Sequence, residues 1–367
     1  MSEPGLTCGH LIVGGFDGLT LPTAIERELR EGRRAGVILF ARNLEHRAGQ
    51  LVLEQVSSLI KSIVAATAHL DDPPFIAIDQ EGGRVARLKS PVLELPPMRK
   101  LAALDDIELT TRVGEELGRQ LAALGFNLDF APVMDVDSNP ENPIIGDRSF
   151  GSEPRAVMRH GVAFIRGLQS VGVLGCAKHF PGHGDTSVDS HLALPVVTAS
   201  AQRLAELELP PFRAASGAGV ATMMTAHVVY PGLDPSVPAT FSYRICTELL
   251  RGEIGFEGVL FSDDLEMGAL ANHGGLEDTA IRAIAAGCDA LLVCSDVEAQ
   301  ARVHEALVLE AERSTAFAER CRQAAARSVR VRNLAPPRLE GDLTRLRTII
   351  GGLPARELAR RMAQALE

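Results

Sequence analysis

Short apolar runs recur along the chain, and amphipathic stretches separate them. The runs are "HLIVGG" (10–15), "GVILFAR" (36–42), "PFIAIDQ" (74–80), "GFNLDFAPV" (125–133), "GVLGCAKH" (172–179), "GVATMMTAH" (219–227), "GVLFSDD" (258–264) and "CDALLVC" (288–294). Their apolarity is continuous, not alternating, which marks strands buried on both faces, as in a parallel sheet. The intervening stretches repeat apolar residues at three and four. "LTTRVGEELGRQLAALG" (109–125) predicts a helix ending on Gly125. In 152–172, Ser152 is the expected N-cap and Pro154 falls in the first turn. The stretch 200–219 is expected to break at Pro210–Pro211, and 276–287 to end on glycine.

Eight buried strands alternating with helices predict an α/β chain folded as a (β/α)8 TIM-type barrel. The competing architecture is an open doubly wound sheet, but no G-x-G-x-x-G motif follows a strand. Residues 295–333 add one or two final helices, so the barrel is read as residues 1–333. Residues 334–367 form a linker and a C-terminal helical extension. That extension is basic and amphipathic, is interrupted around Gly351–Pro354, and is expected to pack on the barrel or a partner subunit.

Charge narrows the function classes. Lys plus Arg number 37 against 47 Asp plus Glu, a formal charge of -10, so nothing draws the chain to nucleic acid or anionic membranes. Trp is absent and aromatics are 4%, too few for a base-stacking surface. The six cysteines form no C-x-x-C pair, and Cys176, Cys288 and Cys294 sit in apolar runs, a pattern suited to a reducing compartment. No basic segment with a long apolar core opens the chain, and no run approaches the ~20 residues of a membrane span. A cytoplasmic protein is the expectation.

Polar residues gather where the predicted strands end, which in this type of barrel is where active sites lie. Arg42-Asn43 follow strand two. "IDQEGGRVAR" brings Asp79, Glu81, Arg84 and Arg87 after strand three, and the long loop after strand four holds Asp135, Asp147 and Arg148. Lys178 and His179 end strand five, His227 follows strand six, and Asp263 and Asp264 end strand seven. The segment "KHFPGHGDTSVDSH" (178–191) packs three histidines, two aspartates and a lysine into one stretch. By itself it is open to three readings: a metal cage, an acid/base loop or a polar loop without chemistry.

At that segment, with "SDDLEM" and "IDQEGGRVAR", the chain resembles family-3 glycoside hydrolases, and more narrowly the bacterial single-barrel β-N-acetylglucosaminidases. The resemblance spans roughly residues 8–300. It implies Asp263 as the nucleophile, His191 as the acid/base and Asp189 as its partner. Asp79, Arg87, Arg148, Lys178 and His179 match positions that hold the N-acetylglucosamine ring. His183 could brace its loop or touch substrate, and His227 could pack, brace Asp263 or touch ligand. Asp264, whose strand neighbour faces the other way, is expected to be a supporting or capping carboxylate. Larger members carry a second domain that supplies a glutamate acid/base, and this chain is too short for it. The resemblance implies no cofactor or metal, and substrates that are β-N-acetylglucosaminides of the muropeptide or chitin type.

The chemistry is coherent without the family. Glycoside cleavage with retention needs a nucleophile and a proton donor flanking the bond, usually two carboxyls about 5–5.5 Å apart. Histidine titrates near neutrality and can donate in one step and accept in the next, and a nearby carboxylate can fix its tautomer. A hexose needs acceptors, which Asp79 offers, and donors, which the arginines, Lys178 and His179 offer. Arg84 could instead pair with Glu81 on the surface, and the charged set as a whole could be a structural ion-pair ring. Four rival functions remain: a metal hydrolase using His179, His183, His191, Asp185 and Asp189; a sugar-binding barrel without turnover; a phosphorylase, since a histidine does not repel phosphate as a carboxylate would; and a substrate-assisted mechanism aided by Asp263-Asp264.

Overall fold

The computed structural model describes residues 3–186 and 194–366. Eight parallel strands close into a barrel: β1 (Ile12–Gly14), β2 (Gly36–Leu39), β3 (Phe75–Ile78), β4 (Leu128–Asp129), β5 (Leu174–Phe180), β6 (Thr222–Thr225), β7 (Val259–Asp264) and β8 (Ala290–Val293). Each lies within its predicted run to within one residue. Neighbours around the ring are consecutive in sequence, and β8 closes onto β1 with Val13 opposite Leu292. Pairing of β2 with β3 brings the backbones close at Gly36, where a Cβ would fall 2.1 Å from the Phe75 carbonyl oxygen. Below the strands, side chains extend the ladder: the Ile76 amide donates to Asn127 Oδ1 (2.7 Å), and the Leu260 amide to Asp289 Oδ2 (3.0 Å).

The barrel interior is a packed core, not a pore. Phe261 sits edge-on to both Phe75 and Phe130, with ring centroids 5.5 and 5.1 Å apart. These rings fill the lower barrel, and Ile38, Met224, Leu292 and Cys294 lie with them in the same cluster. The outward faces of the strands pack on the helices in two larger clusters.

The helices follow the predicted periodicity, with local corrections. Ile107–Leu124 ends on Gly125 in the left-handed region, φ 99°. Pro154–Ser170 begins at its proline, preceded by Glu153; Ser152 is not the cap. The fixed φ and missing N–H of proline suit the first helical position, so Pro154 sets the start. The 200–219 stretch splits at Glu208, ahead of Pro210, into Ala201–Leu207 and Leu209–Gly217. A proline interrupts the turn before it, so both prolines settle in the opening turn of the second helix.

The C-terminal stretch forms Leu343–Ile349 and Leu353–Leu366. Leu346, Ile350, Leu358 and Met362 are buried in the cluster that includes the inner face of helix 107–124. Arg361 pairs with Asp106 at 2.7 Å. The extension therefore packs on the barrel. All six cysteines are buried and free.

Candidate active site

The C-terminal ends of the strands surround a cleft of ≈ 280 Å³. That is near the lower end of small-molecule pockets, about 300–1,000 Å³. Its floor is apolar, built from Ile38, Phe130, Met224 and Leu292. Its walls carry most of the residues the sequence singled out.

One wall comes from β3 to β5. Lys178, within β5, points its ammonium between two carboxylates, 2.9 Å from Asp79 Oδ1 and 2.7 Å from Glu81 Oε1. Arg148 grips Glu81 with two parallel bonds, Nε and Nη2 each 2.8 Å from an oxygen. Arg87 stands 3.5 Å from the second Asp79 oxygen, and its Nε has no partner among the described residues. Burial alone would push the Glu81 carboxyl up and the Lys178 ammonium down. Instead Arg148 and Lys178 hold Glu81 well below the usual range, while Asp79 and Glu81 hold Lys178 above its own. Glu81 is thus the hub of the wall, and Arg148 is its partner. Arg84 bonds the carbonyls of Ile144 and Ile145 instead, so the alternative Arg84–Glu81 pair does not form.

Beneath this wall Asp129 ends β4, fully buried. The Gln80 amide donates to its Oδ1 (2.9 Å), and Oδ2 has no partner among the described residues. Burial, with the charges of Asp79 and Glu81, pushes its carboxyl up to about 8 against the pull of the Gln80 amide and Lys178.

Asp135 organises the base of the β5 loop. Its Oδ2 accepts from His179 Nδ1 (2.7 Å), and its Oδ1 accepts the backbone amides of His179 (3.0 Å) and His183 (2.8 Å). Burial favours the neutral acid, but these imidazoles and amides hold the carboxyl below its ordinary value. With Nδ1 carrying the proton, His179 keeps Nε2 for the cleft it lines. His183 also lines the cleft, and its Nδ1 is bonded to Thr186 at 2.9 Å. Burial and the neighbouring His179 push it down to about 4, so it is neutral at physiological pH.

Opposite stands the end of β7. Asp263 lines the cleft, and its Oδ1 accepts the Asp264 amide at 2.8 Å. Burial would raise its carboxyl, but His227, His179, that amide and Lys178 outweigh it and hold the group below the usual range. Asp263 is therefore an ionised carboxylate across the cleft from the cationic wall. Asp264 caps its own turn, accepting the Glu266 amide (3.1 Å), and also lines the cleft. Burial pushes it up to about 7. Two adjacent carboxyls thus have separated acidities. His227 is not part of the cleft wall. Its Nδ1 bonds Thr240 (2.7 Å) and its Nε2 donates to the Asp264 carbonyl (3.0 Å), which braces the strand tip.

Eight of the eleven residues that the resemblance brings forward thus share the cleft: Asp79, Arg87, Arg148, Lys178, His179, His183, Asp263 and Asp264. His227 supports it from behind. Asp189 and His191 lie outside the described residues. Among the described residues no three His, Cys, Asp or Glu side chains converge as a metal-holding group. The sequence marks Glu81 and Asp135 without giving them a task. Their signal is an acidic residue embedded in an otherwise apolar or glycine-rich strand exit.

A parallel barrel with an ionised aspartate facing a set of carboxylates and cations has the framework of a glycosidase. Residues 16–331 match the model of the glycosyl hydrolase family 3 N-terminal domain. The chain belongs to glycoside hydrolase family 3. A beta-hexosaminidase of Nitrosomonas eutropha is 40% identical over 286 residues, 76% of this chain and 79% of that protein. A family 3 β-N-acetylglucosaminidase from Paenibacillus sp. superposes with a TM-score of 0.88 at 37% identity, covering 100% of this chain and 69% of that one. NagZ from Neisseria gonorrhoeae, solved with N-trifluoroacetyl-D-glucosamine, superposes at 0.79 and 31% identity, covering 98% of both chains.

Proposed function

We propose that this enzyme, of the beta-hexosaminidase type, removes a terminal non-reducing β-linked N-acetylglucosamine with retention of configuration. Asp263 attacks the anomeric carbon and forms a covalent glycosyl-enzyme. His191, oriented by Asp189, protonates the leaving oxygen and then takes a proton from the incoming water. Asp79 and His179 Nε2 accept from ring hydroxyls, while Arg87, Arg148 and Lys178 donate to them. Muropeptides are the physiological substrate class in this reading, and chitin oligomers are also cleaved. The reaction needs no metal or cofactor and takes place in the cytoplasm.

The observation that carries the reading is Asp263, held ionised across one small cleft from Lys178, Asp79 and Arg148. A glycosyl-enzyme requires that form of the carboxyl. The Neisseria neighbour, bound to an N-acylated glucosamine, supports the ring identity. Six buried free cysteines suit a reducing compartment, and among the described residues no helix is long and apolar enough to cross a membrane. The test is a fluorinated N-acetylglucosaminyl donor followed by peptide mass spectrometry, with the product anomer read by NMR. Label on Asp263 and a β-product are expected. An unlabelled protein that still turns over would sink the covalent route, and sugar phosphate released in phosphate buffer would make the enzyme a phosphorylase.

A further inference from the structure

Two loops meet along one edge of the cleft. The loop after β4 brings Ile144 and Arg148 to it, and the turn after β5 brings His183. Their backbones touch at Gly184, where a Cβ would collide with the Val136 carbonyl oxygen. Hydrogen bonds, which are directional, set how the two loops are registered.

Asn142 supplies five of those bonds from one buried side chain. Its Oδ1 accepts the amides of Ile144 (2.8 Å) and Ile145 (2.9 Å), which folds the β4 loop around it. Its Nδ2 donates across the seam to the carbonyls of His183 and Gly184 (both 2.9 Å) and to Thr186 Oγ1 (3.2 Å), so two hydrogens serve three acceptors. A flipped amide would set N–H against N–H and oxygen against two carbonyls, so the partners fix its orientation. Each half leads to a residue of the cleft. The Ile144 carbonyl accepts Arg148 Nη1 (3.2 Å), and the Ile145 carbonyl accepts the Arg148 amide (3.0 Å). On the other side, Thr186 Oγ1 bonds His183 Nδ1 (2.9 Å) and donates to the His183 carbonyl (3.0 Å).

We propose that Asn142 is a positioning residue of this enzyme, locking the β4 loop to the turn after β5 so that Arg148 and His183 stand at a fixed spacing along the ring-binding wall. It does not itself line the cleft. This rests on the proposed glycosidase reading, in which that wall holds the N-acetylglucosamine ring. A ring touched from both loops is bound by their joint geometry, and parting them weakens its hold without removing any contact residue.

The test is Asn142→Asp, which keeps the size and both acceptor bonds but loses the donor half and sets a carboxylate against two carbonyls. The readouts are the calorimetric Kd for N-acetylglucosamine, and KM and kcat for an aryl N-acetyl-β-glucosaminide. In the folded variant Kd and KM should rise about three- to tenfold, the range of one lost hydrogen bond. A merely structural role predicts another pattern: a lower melting temperature and fewer active molecules, hence a lower apparent kcat, with Kd and KM unchanged. Kd and KM both within twofold of wild type overturn the proposal, whatever happens to kcat. If Asn142→Asp does not fold, Asn142→Ser is read by the same criterion, since its hydroxyl can take the Ile144 amide but is too short to cross the seam. Failure of the underlying reading would look different: the wild-type protein would neither bind N-acetylglucosamine nor release it from the aryl glycoside.

Discussion

His179 Nδ1 lies 2.7 Å from Asp135 Oδ2, and the same carboxylate also accepts the backbone amides of His179 and His183. One buried aspartate therefore fixes the imidazole tautomer, the end of β5 and the turn that follows it through His183. Asp135 is fully buried behind the cleft wall and acts through His179, which lines the cleft.

Asp135→Asn tests that arrangement. An amide can accept at one oxygen but cannot serve three donors as a carboxylate does. Losing charge-assisted bonds worth about 1.5–3 kcal/mol should lower kcat/KM by roughly 10- to 100-fold. The melting temperature should fall as well. Unchanged kinetics in a folded variant would show that His179 needs no such anchor.

Asp263 and His191 should separate by leaving group. Asp263→Asn should abolish turnover while calorimetry still detects N-acetylglucosamine binding. His191→Ala should slow substrates with poor leaving groups by about 10²–10⁴-fold, the usual range of acid/base assistance. Activated aryl glycosides should be much less affected in glycosylation. Equal losses on both substrates would count against the acid role.

Glu81 should govern acid stability. Its carboxyl is held below the ordinary range by Arg148 and Lys178. A depressed carboxyl contributes stability that is fully present above its unfolded value, about 4.3, and is lost as pH falls toward the folded value. Glu81→Gln should flatten the acid limb of stability measured by urea unfolding. It should also destabilise the protein at pH 7 by about 3–5 kcal/mol, because Lys178 and Arg148 lose their buried partner.

Asp129 should act with the opposite sign. Its carboxyl is raised from an ordinary value near 3.8 to about 8, so the folded state holds a proton that the unfolded state releases. Its contribution to stability declines as pH rises between those values. Relative to wild type, Asp129→Asn should gain stability steadily from pH 5 to pH 8. A difference that stays constant across that interval would show that the group is ionised in the folded protein.

The barrel was legible because its signal is local. Eight runs such as "FIAI" and "ALLV" are apolar on both faces, and only a doubly covered parallel sheet buries them so. The strand exits were legible too, since "IDQEGGR" and "SDDLEM" place charge directly after hydrocarbon. Boundaries were less so: Ser152 and Pro154 both signal a helix start, and only the backbone geometry shows that proline wins.

The sequence by itself determined the order of strands and helices and which residues stand at the mouth of the barrel, because periodicity and strand polarity are properties of neighbours along the chain. Pairing was decided only by the tertiary structure. Glu81 could meet Arg84 three residues away or Arg148 on another strand's loop, and it meets Arg148 and Lys178. Asp263 and Asp264 are the same side chain in sequence, yet one is held ionised and the other is raised to about 7. Burial and through-space charge set both outcomes, and they exist only once distant segments have closed around the same cleft.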